Sequence, residues 1–318
     1  VDTSSSSGMA DIAQRLTDWY ARAKRPMPWR LKPEPYACWL SEIMMQQTTY
    51  ATVLPYYERF LQRFPTVADL AAADESEVLK AWEGMGYYTR ARNLHKAAQT
   101  LKDRWPASAA EWSAVPGVGP YTAAALASVL NGEPVPVVDG NVARVFARYW
   151  LLSDDFSKQP NRARLAERLT PEIRRGTIPG DFNQAMMELG ATVCTPKNPS
   201  CGDCPLRKDC AARKQGVQAD YPVKPRKGPV PVRKRTAVVI ADAAGRVLLV
   251  QNREGGLLKG LWELPSVEPG EGQVQVFSHF KLELDVLRAT RDDAVFCDPG
   301  TVPLATATRK VLERNGLL

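Results

Sequence analysis

Histidine is nearly missing from this chain of 318 residues, with only His95 and His279 present. That scarcity excludes a metal centre built on several imidazoles. Long apolar runs are missing too: no stretch approaches the roughly 20 residues needed to span a bilayer, and the best, residues 236–241, is strand-length. The sequence therefore predicts a soluble protein with no membrane partner. Residues 1–8 are Ser-rich and polar and lack the apolar centre of a secretory leader. They read as an appended expression remnant, with the fold starting at Met9 and a cytoplasmic, nucleoid-associated location expected. Internal repeats and low-complexity tracts are absent. With 44% hydrophobic and 24% charged residues, collagenous and wholly disordered classes fall away. The length suits roughly two domains of ~150 residues.

Charge is unevenly placed. The chain carries 42 Lys and Arg against 35 Asp and Glu, a net charge of +7. Residues 211–235 alone hold Arg213, Lys214, Lys224, Arg226, Lys227, Arg233, Lys234 and Arg235 against Asp220, which accounts for the whole excess. Such a patch suits either a polyanion such as nucleic acid or a solvated linker. Pro222, Pro225, Pro229 and Pro231 favour an extended connector, so a domain boundary is predicted at 213–235. Before it, residues 9–212 show helical periodicity. The pattern Ile43, Tyr50, Val53, Leu54, Tyr57, Phe60, Leu61 predicts a half-buried helix after Ser41. Thr66 and Asp74 are placed to cap the next two helices. After the boundary the period becomes two. Residues 236–241 and 246–251 predict a hairpin around Asp242-Ala-Ala-Gly245, and Phe280, Leu282, Leu284 and Val286 predict a further strand. The second domain is expected to be a small sheet with some helix.

Four of the six cysteines, Cys194, Cys201, Cys204 and Cys210, are separated by six, two and five residues in one polar, Pro-containing segment. A segment so poor in apolar side chains needs a staple. Disulfides suit a reducing compartment badly, and all-cysteine zinc sites usually use two close pairs where only one C-x-x-C is present. A cubane iron–sulfur cluster wrapped by one loop fits this spacing better, ahead of zinc. Cys38 and Cys297 stand alone and are expected to be buried thiols.

Val115-Pro-Gly-Val-Gly-Pro-Tyr121 lies between two helical segments. Gly117 and Gly119 permit a tight turn, Pro120 suits a first helical position, and the N–H groups of the new helix can face an anion. The alternative is a plain helix–helix turn. Asp139, in Val137-Val-Asp-Gly-Asn-Val142, precedes a helix expected near Asn141 and could simply cap it.

Five motifs in register, namely Glu42-Ile-Met-Met-Gln-Gln-Thr48, Trp82-Glu-Gly-Met-Gly-Tyr-Tyr88, the 116–121 hairpin, Val138-Asp-Gly-Asn141 and the four-cysteine loop, resemble the helix-hairpin-helix DNA glycosylases. In particular they resemble the adenine DNA glycosylase MutY family, from about Trp19 to Cys210. The resemblance implies a multidomain, mainly α fold: an all-α body of two subdomains with a DNA cleft, a 4Fe–4S cluster on residues 194–210, and a structural cation at the hairpin. It implies a monomer acting on double-stranded DNA, removing adenine opposite 8-oxoguanine or guanine and leaving an abasic site. Breaking an N-glycosidic bond needs one acid for the departing base and one carboxylate beneath the sugar. By resemblance these are Glu42, acting on adenine N7, and Asp139. Tyr121, Arg30, Glu188 and Asn141 match pocket positions, and Gln47 and Tyr87 match residues that wedge into the base stack when the adenine is flipped out. Thr48, Tyr88, Gly117, Val118 and Gly119 are the other expected DNA contacts, although without the resemblance core packing is the preferred reading of Tyr87 and Tyr88. Endonuclease III-like lyases carry a Lys where this chain has Tyr121, and a phenol forms no imine, so a monofunctional enzyme is expected. The rivals are such a lyase or a non-catalytic iron–sulfur DNA-binding protein.

Residues 236–318 resemble the MutY C-terminal domain, of the Nudix fold, through residues 256–265, Phe277-Ser278-His279 and residues 303–310. By that resemblance Phe277, Ser278 and His279 probe 8-oxoguanine. Residues 266–276 contain only Glu268 and Glu271 as acids, so Nudix hydrolysis is not expected. At eleven residues this connection is also short, and the small α+β domain is expected to be truncated.

Overall fold

A computed structural model of the protein describes residues 6–101, 104–175, 177–223, 231–253, 256–267, 273–276, 281–290 and 296–318. Helix α1 (Ser6–Ala23) begins inside the segment expected to precede the fold and buries Ile12, Leu16 and Tyr20, a spacing of one turn. A short α2 (Pro28–Leu31) has proline at its first position. The pattern expected as one helix after Ser41 is two: α3 (Pro35–Met45) and α4 (Tyr50–Arg63). Between them Gln47 is left-handed at φ 56°. Arg90 explains the break, because its guanidinium takes the carbonyls of Met44 and Gln46 that a continuous helix would have used.

Local rules do hold at α5 (Val67–Ala72). Thr66 and Asp69 form a reciprocal capping box, worth about 1 kcal/mol. Helix α6 (Glu75–Ala81) follows Asp74, whose side chain makes no cap bond, and α7 (Thr89–Leu101) buries Leu94, Ala97, Ala98 and Leu101. After these come α8 (Ala109–Ser113), α9 (Pro120–Asn131), α10 (Gly140–Trp150), α11 (Gln159–Ile173), α12 (Pro179–Thr192) and α13 (Ala211–Gln215). Helix α12 packs against α1, α9, α10 and α11. Leu16, Phe146, Phe182 and Leu189 form the dry centre of this group. Among the described residues, no helix is long and apolar enough to cross a membrane.

The chain divides into two units: Val1–Ile43 with Arg104–Arg226, and Met44–Asp103 with Lys227–Leu318. Residues 44–103 thus separate from the rest of the helical body. The second unit holds a four-stranded sheet of order β4-β1-β6-β5, from β1 (Val232–Ala241), β4 (Ser266–Val267), β5 (Gln273–Val276) and β6 (Lys281–Thr290). Strands β2 (Val250–Gln251) and β3 (Trp262–Glu263) pair separately. Strand β1 runs parallel to β6, with Lys234 opposite Glu283 and Thr236 opposite Asp285. This pairing draws residues 232–235 into the sheet, and α13 takes 211–215, so the linker expected over 213–235 is shorter than its composition suggested. The hairpin around residues 242–245 is present: Gly245 N–H donates to the Asp242 carbonyl at 3.0 Å and Asp242 N–H to that of Arg246 at 3.0 Å. Helix α14 (Thr306–Arg314) seals the module with Val311 and Leu312 against Val239, Val247, Leu249 and Leu264.

Candidate active site and iron–sulfur loop

Three side chains from distant parts of the sequence meet in the first unit: Glu42 on α3, Tyr121 at the start of α9, and Asp139 capping α10. Burial pushes the Glu42 carboxyl up to about 7; the Tyr121 hydrogen bond and the Arg30 charge oppose this, and the Asp139 charge adds to it. Burial holds the Tyr121 hydroxyl well above 10, so it stays protonated. That hydroxyl also lies 3.0 Å from Met187 Sδ. Its single proton faces two acceptors, the Glu42 carboxyl and the Met187 sulfur.

Asp139 is treated differently. Its Oδ1 accepts from Val142 N–H at 2.7 Å and its Oδ2 from Asn141 Nδ2 at 2.8 Å. Burial raises its pKa, while these bonds and the Arg144 charge resist the rise. The capping reading of Asp139 is therefore correct, and the same bonds favour its anion. Burial raises both carboxyls, and the Val142 and Asn141 donors are what favour the charged form of Asp139.

A line of hydrogen bonds continues along α10. Arg144 Nη2 donates to Asn141 Oδ1 at 2.7 Å and to the Gly190 carbonyl at 2.7 Å, and its Nε donates to the Cys194 carbonyl at 2.8 Å. Gly190 is required here: a Cβ would fall 2.5 Å from Asn141 Cβ. One turn on, buried Arg148 donates to the carbonyls of Thr195 at 2.8 Å, Pro196 at 3.2 Å, Gln218 at 2.8 Å and Tyr221 at 3.0 Å. Sequence motifs alone missed both arginines. Their four-residue spacing in an otherwise apolar helix was the available signal.

Glu188, expected at the base edge, is already fully committed. It is 0% exposed, gripped by Arg25 through Nε at 2.6 Å and Nη2 at 3.0 Å, and by Arg30 Nη1 at 2.8 Å. Burial raises its pKa, but the two guanidiniums outweigh that effect and hold it below the ordinary value. With both oxygens used, Glu188 aims Arg30 and does not itself present an edge to a ligand. Arg25 was missed because nothing local marks it.

The four loop cysteines are free thiols. Cys194, Cys204 and Cys210 pack against the core of the unit. Burial drives Cys204 up to about 12, and the other three sulfurs add to the rise, so all four share one space. Donors point at the sulfurs: Arg148 Nη1 at 3.3 Å from Cys194, Gln218 Nε2 at 3.7 Å from Cys201, the Leu206 N–H on Cys204, and the Arg213 and Ala212 N–H groups on Cys210. Among the described residues, no three His, Cys, Asp or Glu side chains converge on a single ion. Four donor-supplied sulfurs around a wider space fit thiolates on a polynuclear cluster.

The hairpin connects α8 to α9 as expected, with one correction. Gly117 is left-handed at φ 79°, but Gly119 is extended at φ −86° and needs no glycine for its conformation. Val118 N–H donates to the Val115 carbonyl at 3.1 Å, so the turn consumes it and it offers nothing to an anion. In the second unit, Gln47 is exposed, Thr48 is half-buried under Arg90 and Tyr87 is half-buried, whereas Tyr88 is 3% exposed with its hydroxyl donating to the Leu304 carbonyl at 3.2 Å. Tyr88 is a core residue and not a DNA contact. Phe277, Ser278 and His279 lie outside the described residues.

Residues 40–171 match the HhH-GPD superfamily of base excision DNA repair proteins, and residues 194–210 match the iron–sulfur binding domain of endonuclease III. The loop cysteines are thus the ligands of a 4Fe–4S cluster. The adenine DNA glycosylase of Homo sapiens is 37% identical over 80% of this chain and 58% of its own length, so the chain spans about three fifths of that relative. The adenine DNA glycosylase of Buchnera aphidicola subsp. Schizaphis graminum is 31% identical over 86% of this chain and 80% of its own. Among solved structures, a thermostable thymine-DNA glycosylase superposes with a TM-score of 0.59 at 26% identity, covering 65% of this chain and 98% of the other. The chain belongs to the adenine DNA glycosylase family, within the HhH-GPD superfamily of base excision DNA repair proteins.

Proposed function

We propose that the protein excises adenine mispaired with 8-oxoguanine or guanine in double-stranded DNA, as a monofunctional glycosylase that leaves an abasic site. The observation that carries this reading is the pair Glu42 and Asp139 in one pocket, with burial holding Glu42 near 7. A flipped adenine in that pocket takes the Glu42 proton on N7. The C1′–N9 bond then breaks, its electron pair leaves with the base, and the Asp139 anion faces the positive charge that grows on the sugar. Water adds to C1′ and returns a proton to Glu42. Arg30, aimed by Glu188, borders the base pocket, and Tyr121 keeps the acid oriented. The cluster on Cys194, Cys201, Cys204 and Cys210 supplies a rigid crosslink for residues 194–210, and Arg144 and Arg148 tie that loop to α10.

Tyr121 has no amine, so no Schiff base forms at this position. Gln47 and Tyr87 are assigned to the base stack, the basic segment near 213–235 to phosphates, and the C-terminal module, of Nudix-like descent, to judging the opposite base through Phe277, Ser278 and His279. Single-turnover excision on duplexes with adenine opposite 8-oxoguanine, guanine, cytosine and thymine tests the proposal. The expected order puts 8-oxoguanine first, then guanine, with an intact abasic strand as product. Absence of adenine release from every duplex, or efficient borohydride trapping, would overturn it.

A further inference from the structure

Among the described residues of the second unit, two other than glycine, Gln47 and Tyr87, adopt left-handed backbone at φ 56° and 49°. Each such residue costs about 1 kcal/mol unless its surroundings hold it. They lie forty positions apart, on the turn after α3 and the turn before α7, yet one side chain reaches both turns. Buried Arg90 donates to the Met44 carbonyl at 2.9 Å, to the Gln46 carbonyl, to Thr48 Oγ1 at 3.3 Å and to the Gly86 carbonyl at 3.4 Å. Its guanidinium also lies 5.2 Å from the centre of the Tyr87 ring and 5.4 Å from that of Trp82. The Trp82 indole N–H donates to the same Gly86 carbonyl at 3.1 Å.

We propose that Arg90 is a positioning residue for base extrusion, a single guanidinium that fixes both turns in left-handed form so that Gln47 and Tyr87 present their side chains to the duplex as one pre-set pair. This rests on the assignment of those two residues to the base stack. The geometry calls for arginine: several donors spread in a plane reach carbonyls on two turns while the cation lies near two aromatic rings, whereas an ammonium is a compact point donor. Pre-setting matters because ordering two turns during binding would consume energy needed to unstack the base.

The test uses the full-length holoprotein and the variants Arg90→Lys and Thr48→Val. Hydrogen–deuterium exchange without DNA should show residues 46–48 and 86–88 of Arg90→Lys opening together, with α9 and α10 unchanged. With 2-aminopurine beside the target adenine, the unstacking signal should shrink. Single-turnover excision from a fully paired duplex should fall about tenfold or more, whereas adenine in an unpaired bulge should be excised within about threefold of the wild-type rate. Thr48→Val removes one bond and should move every readout the same way by less; it carries the test if Arg90→Lys does not fold. Exchange that rises at one turn or neither, or an equal loss on paired and bulged adenine, overturns the proposal. Wild-type protein that releases no adenine from either substrate sinks the glycosylase assignment instead, and the exchange result still judges Arg90.

Discussion

Replacing Glu42 with glutamine gives an isosteric, permanently neutral version of its protonated state. A carboxyl with an ordinary value of 4.5 that sits near 7 in the folded protein is penalised as an anion. At roughly 1.4 kcal/mol per pH unit, that penalty is about 3 kcal/mol when fully developed. Because the folded-state value lies above the unfolded one, the penalty is absent below about pH 4.5, grows through the window to pH 7, and is complete above it. Glu42→Gln should therefore melt close to wild type at pH 4.5 and above it at pH 8. At roughly 2–4 °C per kcal/mol for a chain of this size, the gain is several degrees. The same substitution removes the proton that adenine needs, so single-turnover excision should vanish while mismatch binding survives. Wild-type excision should in turn decline about tenfold per pH unit above 7 as the acid ionises. Paired melts at pH 4.5 and 8 with a single-turnover pH profile decide the matter. A melting difference that does not grow with pH, or a wild-type rate that stays flat to pH 9, would show that Glu42 is not the proton carrier described here.

Asp139→Ser keeps a hydroxyl that can accept from Val142 N–H, whereas Asp139→Ala loses the cap. Both should abolish excision in a single-turnover assay while retaining DNA binding, and the alanine variant should be less stable than the serine variant by about 1 kcal/mol in thermal or denaturant melts. Gly190→Ala places a methyl 2.5 Å from Asn141 Cβ and should cost about 1–3 kcal/mol through overpacking, where an open helical site would gain stability. Its displacement of Asn141 should also slow excision, and a stabilised, fully active Gly190→Ala would contradict the packing. Thr66→Ala should lower stability by about 1 kcal/mol through loss of the capping box and leave the excision rate unchanged, a paired measurement that separates scaffold from site.

Features set by contacts a few residues long are legible in the sequence alone. The Thr66 box, the Asp139 cap, the turn at residues 242–245, the proline that starts α9 and the four-cysteine spacing all depend on neighbours within about one loop, so the sequence carries their geometry with it. The roles of Glu42 and Asp139 came from motif resemblance, and the structure brings the two side chains near each other. What sequence could not supply was distance in space. Glu188 is committed because Arg25 reaches it across 163 positions, and α3 stops where it does because Arg90 reaches back 46 residues to the Met44 carbonyl. The assortment of residues 44–103 with the C-terminal module, and the parallel pairing of β1 with β6, are likewise products of the packed chain. Above all, the Glu42 proton is a tertiary property. Desolvation depends on what encloses a carboxyl, and α9 and α10, which carry Tyr121 and Asp139 to Glu42, lie some eighty to a hundred residues away along the chain.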